Sequence, residues 1–269
     1  MAQVALVTGA SSGIGEAYAE RLARDGWDLV VVGRRHGRLV ELVRRLTDKY
    51  DIHARAIAAD LADEAQLNSL LAEVAELELG LVVNNAALAH YMPFAELPFD
   101  TARSLVHLNI LAPVLVTRSV VPGMVERGAG AVVNIASLLA FSGEWEGAHL
   151  PRRAVYAASK SFLLTFTQVL ASELRDTGVQ VQVVCPGVVR TEFHSRQGID
   201  LSAVPRMDPA DVVTASLYDL EQGVVVSIPG AGDESAVHAV IAAQGELQSM
   251  TRTVELPSRY VDTGERETS

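Results

Sequence analysis

Short apolar runs alternate with longer amphipathic segments along most of this chain. The runs predict strands near residues 4–8, 28–33, 52–58, 81–84, 131–136, 179–184 and 224–228. The segments between them predict helices near residues 14–25, 39–46, 64–76, 99–127 and 154–177. Several runs are apolar throughout, as expected of parallel strands that helices cover on both faces. The alternation therefore predicts an α/β fold built on a doubly wound parallel sheet.

No linker, internal repeat or low-complexity segment divides the 269 residues. A chain of this length can bury one large core, so we expect a single domain over residues 1–250. The last segment, 251–269, is polar, mixed in charge and without periodicity. This composition predicts a loosely held tail.

Composition argues against several classes of protein. Apolar residues make up 49% of the chain and charged residues 20%, which excludes a disordered protein. The net charge of −11 argues against nucleic-acid binding. One cysteine and seven histidines without ligand spacing predict no disulfide and no metal site. Without a signal-peptide pattern or an uninterrupted apolar run near the ~20 residues that span a bilayer, we expect a cytoplasmic protein with no membrane contact.

A glycine-rich turn, TGASSGIG at residues 8–15, joins the first predicted strand to the first predicted helix. Glycines let the backbone approach a diphosphate, and the helix N-terminus adds free N–H groups and a positive dipole end. At the first turn of a doubly wound, Rossmann-type sheet, this favours a bound dinucleotide over a turn without a ligand. The candidate contacts here are Gly9, Ser11, Ser12, Gly13, Ile14 and Gly15.

The second predicted strand ends at Gly33 and is followed by Arg34 and Arg35. An acidic residue there would bind a ribose 2′-hydroxyl, whereas a guanidinium can pair with a 2′-phosphate. A basic helix start opposes the helix dipole unless an anion binds to it. We therefore favour NADP(H) over NAD(H) as cofactor, with an ordinary solvated helix start as the alternative interpretation.

Tyr156 and Lys160 stand four residues apart, on one face of a predicted helix. A nearby ammonium, together with the positive nicotinamide ring of an oxidised cofactor, would lower the pKa of the phenol and make it a usable acid or base near neutral pH. Such pairs are common on helices, so other polar residues have to support this interpretation. Asn84-Asn85-Ala86 and Ser137 supply them, because they close two strands where an open sheet exposes its ligand crevice.

The ordered set of motifs resembles the short-chain dehydrogenase/reductase family over residues 4–230. It comprises TGASSGIG, Asn-Asn-Ala at 84–86, Asn109, Ser137, Tyr156-Ala-Ala-Ser-Lys160 and PGVVRT at 186–191. The resemblance implies an oxidoreductase in which Tyr156 exchanges a proton with the substrate oxygen and Lys160 lowers the pKa of Tyr156 and holds the nicotinamide ribose. It further implies that Ser137 hydrogen-bonds the substrate oxygen, and that Asn109 anchors a water linking Lys160 to solvent.

The same resemblance implies further cofactor contacts. These are Asp60, Leu61, Asn85, Ala86, Tyr156, Lys160, Pro186, Gly187, Val189 and Thr191. Asp60 is equally well explained as a helix N-cap. Ala87 departs from the family pattern, which has glycine there, and the segment between Ser137 and Tyr156 is longer than usual. The extra residues predict either a substrate wall, with Trp145 and His149 as candidate contacts, or a subunit-contact or surface loop.

We therefore predict reversible, NADPH-dependent reduction of a ketone or aldehyde, with Tyr156 as the proton donor. The alternatives are an NAD(P)-dependent alcohol or steroid-type dehydrogenase that works oxidatively, and a non-catalytic protein that senses the cofactor. The apolar segment from Leu105 to Val125 resembles the family's dimer-forming helices and implies a homodimer or homotetramer. Ordinary core burial would explain its composition as well.

Overall fold

The computed structural model describes residues 3–143, 152–201 and 203–250. Its residues form two compact units, Met1–Gly230 and Ala231–Ser269. The first unit contains the sheet and the predicted motifs, and the described residues of the second contain one helix. The extension of a single domain to residue 250 stays a prediction, and the predicted tail over 251–269 lies outside the described residues.

Seven strands of the described chain form one parallel sheet. They are β1 (Val4–Thr8), β2 (Asp28–Gly33), β3 (Ala54–Ala58), β4 (Leu79–Asn84), β5 (Gly130–Ile135), β6 (Val179–Val184) and β7 (Val226–Ser227). Their order is β3-β2-β1-β4-β5-β6-β7, so the chain builds outward in both directions from the β1–β4 pair. This confirms the doubly wound parallel fold and places a topological switch point, where such sheets bind ligands, between β1 and β4.

Helices connect the strands in the order that the sequence predicts. They are α1 (Gly13–Arg24), α2 (His36–Lys49), α3 (Glu64–Ala75), α4 (Phe99–Val106), α5 (Ala112–Arg127), α6 (Ala154–Glu173), α7 (Glu192–Ser195), α8 (Pro209–Glu221) and α9 (Ser235–Met250). The sequence analysis did not predict the last three. The four residues of α7 are too short for a periodic pattern, whereas the start of α8 has a readable signal, Asp208 at the N-cap followed by proline.

The two faces of the sheet support separate apolar clusters, because successive strand side chains point to opposite faces. In β1, Val7 packs with Tyr18 of α1 and Leu39 of α2 on one face. Leu6 packs with Leu70 of α3 and Val116 of α5 on the other. Burial on both faces holds the carboxyl ends of the central strands in fixed positions.

One helical segment runs from Phe99 to Arg127, with a π-helical turn at His107–Leu111 in its middle. By length and mean hydropathy, 1.5, this segment could cross a membrane. In the fold, α5 packs against α3, β4 and β5, as a core helix of a covered sheet does. The predicted helix over 99–127 is confirmed, and the π turn at its centre contains Asn109.

Candidate active site

A cavity of about 970 Å³ opens at the carboxyl ends of the strands. The predicted residues that line it are Gly9, Ser11, Ser12, Gly13, Ile14, Arg34, Arg35, Asp60, Leu61, Asn85, Ala86, Ser137, Tyr156, Lys160, Pro186, Gly187, Val189 and Thr191. Gly15 and Asn109 are not part of the wall. Trp145 and His149 lie outside the described residues. The fold therefore brings almost every described candidate residue to one cleft.

The glycine turn has no room for larger residues at its glycine positions. Gly9 and Gly13 have φ angles of 67° and 62°, which glycine adopts without strain. A Cβ on Gly15 would clash with Nδ2 of Asn85, and one on Gly13 would lie 2.8 Å from Cγ2 of Thr191. The turn leads directly into α1, whose first N–H groups can bind an anion. This narrow cradle fits a diphosphate between the turn and the segment after β6.

Asn85 fastens the glycine turn to the end of β4. Its Nδ2 donates to the main-chain oxygen of Thr8 at 2.9 Å. The main-chain N–H groups of Asn85 and Ala86 donate to Oγ1 of Thr8 at 2.9 and 3.0 Å. Asn85 thus positions the turn itself as well as lining the cavity.

Arginines occupy the end of the cavity beside the glycine turn. Arg35 donates through NH2 to Oγ of Ser11 at 2.9 Å and to Oγ of Ser12 at 2.7 Å. Arg34 is more exposed and lies 3.8 Å from the Asp60 carboxylate. The N-cap interpretation of Asp60 is wrong, because the side chain that caps α3 is Asp63, which accepts from the Gln66 N–H at 3.0 Å. Arg196, which the sequence analysis did not single out, also lines this end.

Tyr156 and Lys160 are buried on α6, with exposed fractions of 5% and 2%. Nζ of Lys160 donates to the main-chain oxygen of Ile135 at 2.8 Å and lies 5.7 Å from the Tyr156 ring centroid. Burial lowers the pKa of Lys160 to about 8. Burial raises the pKa of Tyr156, and a hydrogen bond with Ser137 opposes this rise only in part. In the protein alone, burial is the largest influence on the phenol and raises its pKa, whereas the predicted lowering depends on the oxidised nicotinamide as well as on Lys160 and stays a prediction.

Ser137 follows the end of β5 and lies beside the phenol. Its Oγ accepts a hydrogen bond from the Leu139 N–H at 3.1 Å, which caps the 3₁₀ turn Leu138–Phe141. This cap fixes the position of the hydroxyl next to Tyr156. Two hydroxyl groups on neighbouring elements can therefore meet one substrate oxygen.

Asn109 lies behind the cavity wall and is 1% exposed. Its Oδ1 accepts from the Leu88 N–H at 2.9 Å. Its Nδ2 donates to the Leu88 oxygen at 2.9 Å and to Oγ of Ser159 at 3.0 Å. Oγ of Ser159 in turn donates to the main-chain oxygen of Tyr156 at 2.7 Å. The Asn109 side chain therefore holds the part of α6 that contains Tyr156. That Asn109 also anchors a water stays a prediction.

Aromatic side chains that the sequence analysis missed surround the open side of Tyr156. The ring of Tyr91 meets that of Tyr156 edge-on at 5.7 Å between centroids, and Phe193 lies 6.0 Å from it. His194 stacks on Tyr91 at 6.2 Å. Tyr91 follows the end of β4, and Phe193 and His194 follow the end of β6. The rule that places ligands at the carboxyl ends of strands could have identified all three.

Known proteins share this sequence and architecture. A family model described as short chain dehydrogenase matches residues 3–201. Sulfoacetaldehyde reductase 2 from Chromohalobacter salexigens is 38% identical over 72% of this chain and 75% of that protein. Very-long-chain 3-oxoacyl-CoA reductase from Mus musculus is 34% identical over 82% of this chain and 71% of that protein.

Solved structures extend the similarity to the fold. A short-chain dehydrogenase from Sphingobium yanoikuyae in complex with NADPH superposes with a TM-score of 0.90 and 35% identity, covering 96% of this chain and 100% of that one. A bulky-bulky ketone specific alcohol dehydrogenase from Comamonas testosteroni has a TM-score of 0.86 and 31% identity, covering 96% and 98%.

Proposed function

Because this chain belongs to the short-chain dehydrogenase/reductase family, whose members are NAD(P)-dependent oxidoreductases acting on CH–OH and C=O groups, we propose that it reduces ketones or aldehydes with NADPH. The proposal rests on which side chains line the same cavity and where they stand in it. Tyr156, Ser137 and Lys160 lie at one end of it, and Arg34 and Arg35 lie at the other.

The chain's own residues fit a dinucleotide. The glycine turn and the N-terminus of α1 would hold the diphosphate, and Lys160 and the 186–191 segment would hold the nicotinamide half. Bound NADPH supplies the hydride in this chemistry. The Sphingobium neighbour is described in complex with NADPH, which supports the same cofactor here.

Tyr156 is suited to donate a proton to a carbonyl oxygen. The phenol is protonated at neutral pH, which is the form that an acid requires, and the Lys160 ammonium beside it favours loss of that proton. The O–H bond of Tyr156 would break as the product hydroxyl forms, leaving a phenolate that the Lys160 ammonium stabilises. Ser137 would hold the same oxygen and stabilise its developing negative charge.

The charge distribution supports NADPH over NADH. Among the described residues that line the cavity, the charged ones other than Lys160 are Arg34, Arg35, Asp60 and Arg196. Arg35 and Arg196 contact Ser12 of the glycine turn, and Arg34 pairs with Asp60. This end therefore carries excess positive charge, which a 2′-phosphate can neutralise.

The described substrate side is apolar and aromatic. Tyr91, Phe193, Leu138, Leu139 and Phe141 line it. Burial and the charge of Arg206 lower the pKa of His194, so the imidazole is neutral at neutral pH. We therefore favour a ketone with an aromatic or bulky apolar substituent over an anionic substrate. The Comamonas neighbour, whose name specifies bulky-bulky ketones, supports this size class.

The proposal is tested by following NADPH absorbance with matched carbonyl substrates. Acetophenone, cyclohexanone, acetone and an anionic aldehyde would each be tried with NADPH and with NADH. We expect the highest kcat/KM for acetophenone with NADPH. A preference for NADH or for the anionic aldehyde would overturn the cofactor or the substrate assignment, respectively.

We also propose a homo-oligomer. Val106 on α4 and Phe162 and Val169 on α6 are 43%, 40% and 52% exposed, although all three are apolar. Burial against a second copy would remove this apolar surface from water. Light scattering coupled to gel filtration should give a mass of at least two chains, and a monomer mass would contradict the proposal.

A further inference from the structure

The carboxylate of Glu192, the first residue of α7, contacts three arginines near the glycine turn. Its Oε2 accepts from NH1 of Arg35 at 3.0 Å, and its Oε1 accepts from NH1 of Arg38 at 2.8 Å. NH2 of Arg196 contacts the same carboxylate. These guanidiniums hold the pKa of Glu192 at about 2, so the group is ionised throughout the neutral range.

Glu192 is well placed to compete with a second anion. Arg35 directs Nε and NH2 at the hydroxyls of Ser11 and Ser12, and it directs NH1 at Glu192. A phosphate that pairs with Arg35 and Arg38 would therefore approach guanidiniums that already hold a carboxylate. Two like charges within a few ångströms of each other repel, even where solvent screens them.

We propose that Glu192 is a cofactor-specificity residue that competes with the 2′-phosphate of NADPH for Arg35 and Arg38. This inference rests on the proposed use of NADPH. In the free protein, Glu192 offsets repulsion among three guanidiniums. When the 2′-phosphate binds, the carboxylate must leave them or share them, so NADPH binds less tightly than the arginines alone would allow.

Two adenosine fragments isolate this effect from catalysis. Titration calorimetry would measure the Kd of adenosine 2′,5′-bisphosphate and of 5′-AMP for the wild type and for Glu192→Gln. The variant should bind the bisphosphate about five- to tenfold more tightly, from the Coulomb energy of one screened charge, and 5′-AMP should change less than about twofold. Glu73→Gln is the matched control, because Glu73 is similarly exposed and pairs with Arg55 away from the cavity.

The outcomes separate this inference from the proposed function. If the wild type binds both fragments equally, the NADPH assignment fails and the role of Glu192 fails with it. If the wild type prefers the bisphosphate and Glu192→Gln binds it no better, only the role of Glu192 is overturned. An equal gain in Glu73→Gln would also overturn it, because the effect would then reflect net charge alone.

Discussion

The ammonium nitrogen of Lys160 lies 5.7 Å from the centroid of the Tyr156 ring, and both side chains are almost fully buried. Burial opposes charge on each of them, lowering the pKa of the amine and raising that of the phenol. At neutral pH the protein therefore holds a neutral, protonated phenol beside a cation. The cation becomes most favourable once the phenol has given up its proton and carries a negative charge.

Tyr156→Phe should abolish turnover while the cofactor still binds. The substitution removes the acidic proton and leaves the ring packing in place, so kcat should fall by at least about 10²-fold, the usual scale of general acid catalysis. Stopped-flow kinetics would give kcat, and NADPH fluorescence would give Kd, which should change by less than about threefold. Tyr218→Phe is the control, since Tyr218 is 63% exposed on α8. Substantial residual activity in Tyr156→Phe would refute the assigned role.

The unfolding free energy of the cofactor-free protein should depend on pH because of Lys160. Its pKa is about 8 in the fold and near 10.5 in an unfolded chain. Between these values the unfolded chain binds more protons, so stability rises with pH. Relative to Lys160→Met, the wild type should gain about 1–2 kcal/mol between pH 8 and pH 9.5. Urea unfolding of both proteins at the two pH values measures this gain, and parallel pH profiles would contradict it.

Asn109→Ala should cost both stability and activity. It leaves the Leu88 N–H, the Leu88 oxygen and the Ser159 hydroxyl without their partner, at about 2–4 kcal/mol of unfolding free energy. Because Ser159 holds the first turns of α6, kcat should fall even where the protein stays folded. Asn68→Ala, at an exposed position of α3, should change stability by less than about 0.5 kcal/mol. An Asn109→Ala variant with wild-type stability would show that these hydrogen bonds are replaced by others.

The fold could be predicted from local patterns alone. Strand–helix alternation predicts the parallel sheet, because each apolar run is long enough to identify a covered strand. The glycine turn and the Tyr156–Lys160 pair also lie within short stretches of sequence, so their spacing is readable. Their convergence on one cavity follows from the parallel topology, since every strand ends at the same edge of the sheet.

Features that depend on contacts between distant segments could not be predicted in this way. Glu192 meets Arg35 across 157 positions, and nothing in either local sequence indicates that contact. The spacing of Tyr156 and Lys160 reveals the neighbouring ammonium but not the burial that raises the pKa of the phenol in the protein alone. The sequence analysis considered Asp60 as the N-cap of α3, but the cap is Asp63, which directly precedes the helix and accepts a hydrogen bond from the Gln66 N–H.

Replacing Phe193 by alanine should impair large aromatic substrates selectively. The ring lies 6.0 Å from Tyr156 and packs edge-on against His194 at 5.5 Å, so it forms part of the wall that a substrate ring would contact. Loss of one such apolar contact should raise the KM for acetophenone about tenfold, from roughly 1–2 kcal/mol of lost packing, and change that for acetone less than about twofold. Phe99→Ala is the matched control, because Phe99 is 90% exposed. An equal rise in KM for both ketones would show that Phe193 acts on the position of Tyr156 and not on the substrate.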